Sequence, residues 1–321
     1  MRKGTMTATL PAELRPCRQS LKFTLGEIDL FWFRFAALEQ AGMGFGADGA
    51  APLHTDLLLR HPDADAVVVR DLPVQGPVKR LRAGRQIRYA PVVYQRYYVE
   101  VRGTFADYLK SLSHGTRKTM LRHVRRFQEA SGGEIAWREF SRPDEAGEFY
   151  ELATAISRTT YQHRLNAGLP VSDSFRRELQ EMAAQDELRG YVMFLQGAPV
   201  AFALCRGGDD LLGYQTGYDP RFRDSSPGTI LHYLIFQRLF AEGRFARYDF
   251  GESEQPYKVS LANASVRCAR VYYFRRTFRN LAAVTAHLLC NGLSTVAGRL
   301  LEALKVKQQI RKWIRSHGTN D

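Results

Sequence analysis

The chain has 321 residues, 45% of them hydrophobic and 12% aromatic, which suits one large or two medium folded domains and excludes wholesale disorder. Its four cysteines, Cys17, Cys205, Cys268 and Cys290, lie far apart without a CxxC pair, a pattern that supports neither a disulfide framework nor a zinc site and fits a reducing cytoplasm. The net charge of +13 is local rather than general: residues 108–128 hold six Lys/Arg and no acid, and residues 299–315 hold six Lys/Arg and one Glu, so the two segments carry +11 of it. Each such segment attracts phosphate-bearing partners, whether CoA, nucleic acid or anionic lipid.

In chain order, residues 1–14 lack the apolar run of a secretory signal. The first hundred residues read as β-rich, with strands at 21–25, 30–35, 66–70 (AVVVR) and 92–101 (VVYQRYYVEV). The glycine-rich stretch at 42–49 (GMGFGADG) reads as a loop; no strand–turn–helix pattern frames it as a dinucleotide fingerprint. A helix is expected from Thr104 with Asp107 in its first turn. A second covers 116–130, with Met120, Leu121, Val124 and Phe127 on one face and Arg117, Lys118, Arg122, Arg125 and Arg126 around the rest.

The next elements alternate. A strand at 134–140 precedes two helices at 144–158 and 172–184. Strands at 189–195, 200–206 and 210–218 follow, joined by tight turns, then an apolar helix at 227–242 and strands at 246–250 and 270–275. This order predicts an α/β fold with a mixed sheet, antiparallel through the three hairpin-joined strands and parallel across the apolar helix. Residues 281–297 are apolar but short and interrupted by His287 and Asn291, so a buried or interfacial helix is expected rather than a membrane span. Further on, Ala303, Val306, Ile310, Trp313 and Ile314 share a helical face flanked by Lys305, Lys307, Arg311, Lys312 and Arg315. Such a basic tail either lies on an anionic membrane surface or packs on protein.

The segment 214–229 (YQTGYDPRFRDSSPGT) carries the chemistry. A strand ends in a polar loop that leads into a helix with Pro227 in its first turn and Ser225 or Ser226 as cap. The free N–H groups of that helix start would make an anion site. Arg221 and Arg223 would add charge, and Gly228, followed by Thr229, would let a phosphate approach the backbone. An ordinary capped helix fits the same residues. His163 and His232 fall in or beside helices without visible partners and read as structural.

Four stretches carry a resemblance to a known family: 104–127 with the Gly132-Gly133 that follows, 191–205 containing GAPVAF, GYDPRF at 217–222 running into SPGT, and YDFGESEQPYK at 248–258. Together they resemble the BioF-like acetyltransferase domain of the GNAT superfamily, including the CelD/BcsL group linked to exopolysaccharide synthesis. The likeness runs from about residue 98 to 277. It implies a GNAT-like mixed sheet flanked by helices in residues 101–280, and it permits residues 1–100 to be a degenerate second half, with 281–321 as a basic helical tail.

It further implies an acyl-CoA-dependent N-acyltransferase, with acetyl-CoA or another acyl-CoA as donor and no metal. Backbone N–H groups near Gly217 would polarise the thioester. Asp249 and Glu252 are the base candidates, Tyr257 the acid, and Lys258 a ligand for an acidic group. The acceptor would be an amine of a small molecule, a sugar or a cell-envelope precursor. The phosphate loop departs from the usual GNAT pattern in holding one glycine (RDSSPGT), which leaves another acyl carrier or a charged tRNA open as donor. Two alternatives therefore stand beside it: a Fem-like aminoacyl-tRNA-dependent transferase, and a non-catalytic partner of a membrane glycan synthesis complex. The expected place is the cytoplasm, with the tail permitting peripheral contact with the inner face of the membrane.

Overall fold

The computed structural model describes residues 14–25, 28–40, 55–76, 81–83, 85–160, 168–252 and 254–303. The chain forms two compact units, Met1–Tyr94 with Arg267–Asp321, and Gln95–Val266. This differs from a sequential three-part division: the last strand and the long C-terminal helix group with the N-terminal residues. The glycine-rich stretch 42–49, His163 and the tail beyond residue 303 lie outside the described residues.

In the first unit, β1 (Leu14–Leu25) and β2 (Ile28–Gln40) form a long antiparallel hairpin. After the short helix α1 (Thr55–Arg60), β3 (Ala66–Pro73) pairs in parallel with β2. A three-residue β4 (Leu81–Ala83) pairs with the start of β5 (Gln86–Glu100), and β11 (Ala264–Arg275) pairs antiparallel with β3. The strand β3 is buried on both faces, which explains its unbroken β-branched run, AVVV. One face holds Phe23, Phe35, Ala66, Val68, Tyr272 and Phe274, with Val284 from the helix α8 (Phe278–Ala303).

The second unit is a sheet between two helical layers. Its strand order runs from residues 98–100 of β5 through β10 (Arg247–Asp249), β9 (Leu211–Tyr218), β8 (Ala198–Gly207) and β7 (Leu188–Leu195) to β6 (Trp137–Phe140). One face carries α2 (Phe105–Ser111), α3 (His114–Ala130) and α6 (Pro227–Glu242). The other carries α4 (Ala146–Thr159) and α5 (Asp173–Ala184). Period-two alternation divides the sheet between them: Tyr191, Met193, Ala201, Ala203 and Cys205 face the first layer, Val192, Phe202 and Leu204 the second.

Local signals set the helix starts. Thr104 and Asp107 form a reciprocal capping box at α2, and Ser113 and Ser172 cap α3 and α5. The expected strand at 134–140 shortens to β6. A short helix not anticipated, α7 (Pro256–Leu261), follows β10. As expected, β7–β8–β9 are antiparallel and β9–β10 parallel.

Candidate functional site

The site is built where two parallel strands part. β10 meets β9 only at Tyr248–Leu211 and Asp249–Leu212, after which β9 continues to Tyr218 without it. Two close approaches mark this point. A Cβ on Gly213 would lie 3.0 Å from the Tyr248 hydroxyl oxygen and 3.2 Å from the Asp249 carbonyl oxygen. Gly251, at φ +72°, turns the chain away under the Gly213 carbonyl. The exposed length of β9 thus offers backbone amides along an open edge.

Their direction follows from the ladder. The Asp219 N–H donates to the Val200 carbonyl at 2.9 Å, and the register pairs Gly217 with Phe202 and Gln215 with Leu204. Alternation in an antiparallel pair then points the Gly217 N–H at β8, while those of Thr216 and Tyr218 face the open edge. The backbone N–H groups expected near Gly217 to meet a ligand are therefore those of its two neighbours, not its own. Gly217 itself serves packing: a Cβ there would meet the Phe202 ring at 2.6 Å.

Beyond Tyr218 the chain makes a 3-10 turn, Pro220–Ser225, and enters α6. Asp219, almost fully buried, caps the turn by accepting the Arg221 N–H at 2.9 Å and holds the Arg221 guanidinium at 2.6 Å. Those bonds keep the Asp219 carboxyl below its usual range. Arg221, expected to bind an anion, is thus first a partner of Asp219. The expected side-chain cap does not form either. Ser226 adopts the left-handed conformation (φ 53°, ψ 48°), and its side chain makes no cap bond. Its carbonyl accepts from the Thr229 and Ile230 N–H groups, while Ser225 ends the 3-10 turn. Pro227 has no N–H to give, so Gly228 contributes the first amide at the positive end of a 16-residue helix.

Unpaired cations lie on the elements packed with this helix. The helix α3 packs against the 3-10 turn and α6. Among the described residues, Arg117, Lys118, Arg122, Arg125 and Arg126 of α3 and Arg223 of the turn make no ion pair. Elsewhere in this unit Arg96, Arg138, Arg142, Arg189, Arg206 and Arg244 all pair with carboxylates. His123, on α3, is held below its ordinary value by burial and then by Arg122 and Arg126.

At the other strand end Asp249 and Lys258 acquire structural partners. Asp249 is 3% exposed and takes a two-pronged ion pair from Arg96 of β5, a residue the sequence did not single out. Its Oδ1 also accepts the Gly251 N–H at 2.9 Å, fixing the turn after β10. Lys258 is 5% exposed and donates to the Phe250 and Glu252 carbonyls at 2.7 Å each, so its ammonium closes that loop from within. Burial lowers Lys258 from 10.5 to about 8, with the Asp249 carboxylate opposing. Glu252 is half-buried on the loop, and the Tyr257 ring stands 5.6 Å from that of His232.

A buried polar chain joins the helix start to the strands. His232 Nδ1 donates to the Gly228 carbonyl at 2.8 Å, which leaves Nε2 to accept from the Tyr248 hydroxyl at 3.4 Å. The Cys205 thiol reaches that hydroxyl at 3.9 Å. Burial keeps every member neutral, pushing His232 down to about 4, Cys205 up to about 12 and Tyr248 upward. His232 is structural, as expected, and what it supports is the backbone at Gly228. Among the described residues, no group of three or more His, Cys, Asp or Glu side chains could hold a metal ion.

Comparison with known proteins agrees with this architecture. Residues 114–259 match the family model described as an acetyltransferase (GNAT) domain, a span that holds every anticipated site residue. No match is found among curated protein sequences. Among solved structures, the C-terminal domain of an Agrobacterium fabrum protein described as a lysylphosphatidylglycerol synthetase is 9% identical. It aligns over 86% of this chain and 88% of its own at a TM-score of 0.51. FemX is 11% identical over 84% of this chain and 90% of its own, also with a TM-score of 0.51. At these identities the likeness is one of fold. The parted parallel strands and the helix start beside them lie within residues 114–259, the span that matches the GNAT domain model, and the fold agrees with that match.

Proposed function

We propose that the second unit transfers an acyl group from acyl-CoA to an amine. The observation that carries this is the juxtaposition, at the end of β9, of an open strand edge with an anion-attracting helix start. The thioester would enter between β9 and β10, its carbonyl oxygen accepting from the Thr216 and Tyr218 N–H groups. The pyrophosphate would take the Gly228 amide and the charge of Arg223. The amine nitrogen attacks the thioester carbon, and the tetrahedral oxyanion gains most from amides already in place. Collapse breaks the C–S bond. The proton lost by the amine goes to a base, and the leaving thiolate takes a proton from an acid.

With Asp249 committed to Arg96, Glu252 is the better placed of the two proposed bases, and Tyr257 remains the proposed acid. Alignment of the reactants supplies much of the rate in such a site. The proposed acceptor is an amine on a small molecule, a sugar or a cell-envelope precursor such as one for an exopolysaccharide. The test is calorimetric titration of acetyl-CoA and longer acyl-CoAs into the full chain and into Arg223→Ala. Micromolar binding that weakens in the variant supports the reading, and no binding of any acyl-CoA sinks it.

A second reading rests on the unpaired cations of α3. A donor longer than CoA and with many phosphates, such as an aminoacyl-tRNA, would span the Gly228 site and that helix together. Its mark is salt dependence: a carrier touching several phosphates loses affinity steeply with added salt. Arg122→Ala/Arg126→Ala would flatten that slope while leaving acetyl-CoA binding unchanged.

A further inference from the structure

The helix α8 carries apolar residues on two sides. Toward the first unit it buries Asn280, Val284 and His287. The His287 Nε2 donates to the Lys22 carbonyl at 3.1 Å, so its Nδ1 accepts from the Tyr89 hydroxyl at 2.5 Å. On the opposite side Phe278, Ala282, Ala286, Leu289, Leu293 and Val296 recur at three- and four-residue steps, and all are exposed. Phe278 is 88% exposed, Leu289 63% and Leu293 65%. This outward stripe runs about 27 Å at 1.5 Å per residue.

A second apolar surface adjoins it. The end of the β1–β2 hairpin exposes Leu25, Ile28, Leu30, Phe31 and Trp32, residues that point to both faces of the ribbon. The Cys290 thiol meets the Thr24 carbonyl at 3.2 Å, which sets the hairpin end beside the helix turn bearing Leu289 and Leu293.

Charge decides what covers it. From residue 255 to residue 301 the sequence contains no Asp or Glu, while the exposed Arg276 stands just before the stripe. On the hairpin, exposed Arg18 and Arg34 make no ion pair among the described residues, while Lys22, 5.0 Å from the Trp32 ring centre, is paired with Asp29 at 2.7 Å and so adds no net charge. A second copy meeting this face symmetrically would set these cations against their own kind. An anionic bilayer offers acyl chains to the stripe and phosphates to its rim. Among the described residues no helix is long and apolar enough to cross a membrane.

We propose that this side of the first unit lies in the surface of a membrane containing anionic lipid, with the α8 stripe and the hairpin end below the headgroups and the arginines among them. The proposal is independent of the acyl-transfer reading.

It is tested by flotation of the full chain with vesicles of phosphatidylglycerol and phosphatidylcholine in equal parts, and with phosphatidylcholine alone. The protein is expected to float with the anionic vesicles and to partition about tenfold less onto the neutral ones. Leu289→Ser/Leu293→Ser, with both sites exposed, is expected to lower partition at least about tenfold without lowering the melting temperature. A wild-type chain that stays in the soluble fraction overturns the proposal, as does a double variant that floats equally well. A lipid-free dimer abolished by the variant would show that a second copy covers the stripe. A lowered melting temperature would show that a segment of the chain itself does. Either result also overturns it.

Discussion

Lowering the pH should unsettle the helix start beneath Gly228 through one residue, His232. Its imidazole is buried among Phe236, Tyr248, Phe250 and Tyr257 and holds a neutral form with Nδ1 bonded to the Gly228 carbonyl. Burial is the main cause that takes it from 6.5 to about 4, and Lys258 adds to it. In the unfolded chain the ring protonates as the pH drops through 6.5, whereas the native state resists until about 4. Across that window the unfolded state binds more protons, so stability is present above 6.5 and drains away as the pH falls to 4. A gap of this size corresponds to about 3 kcal/mol, a large share of a typical domain's stability.

The assay is urea unfolding of the wild type and His232→Gln at a series of pH values through this window. Glutamine keeps an N–H donor but cannot titrate, so the other acid-sensitive groups cancel in the difference. The stability advantage of the wild type should shrink by about 3 kcal/mol between the top and bottom of the range. Parallel stability curves would refute the assignment of a neutral, buried His232.

Three further outcomes are expected. Arg96→Met leaves the Asp249 carboxylate buried without its guanidinium and should cost about 3–5 kcal/mol of stability. Asp249→Leu added to it should recover much of that loss, and an Asp249→Asn variant that folds normally yet loses all turnover would instead mark Asp249 as a base. Gly217→Ala drives a methyl into the Phe202 ring and should cost about 1–3 kcal/mol in thermal or urea unfolding, with partial rescue by Phe202→Leu; unchanged stability would mean that β8 and β9 yield there. Lys258 predicts a rise of stability with pH between 8 and 10.5, because the native state gives up a proton there that the unfolded chain retains. Lys258→Met should remove that rise in denaturation measured across the same interval.

Much of this chain was legible from sequence because local rules wrote it. Thr104 and Asp107 announced a helix start, which the structure closes with a capping box. The β-branched AVVV run announced a strand, which the structure then buries on both faces, and the tight turns between β7, β8 and β9 announced their antiparallel order. The motif at 214–229 located the helix start because a strand end, a proline and a glycine are features of the chain's own neighbourhood. Side-chain partners are another matter. Arg96 meets Asp249 across 153 residues, and Arg221 turns back onto Asp219 rather than waiting for an anion. Ser226 adopts a left-handed conformation that composition does not show, and the Gly217 amide faces β8 because of a register that only the folded sheet defines. The helix α8 makes the same distinction. Its apolar residues were visible at once, but only packing against β1 separated the side that is buried from the side left to solvent. Sequence determines which groups are available and where the backbone turns. The tertiary structure decides which charges neutralise one another and which faces remain open, because those depend on distances between residues far apart in the chain.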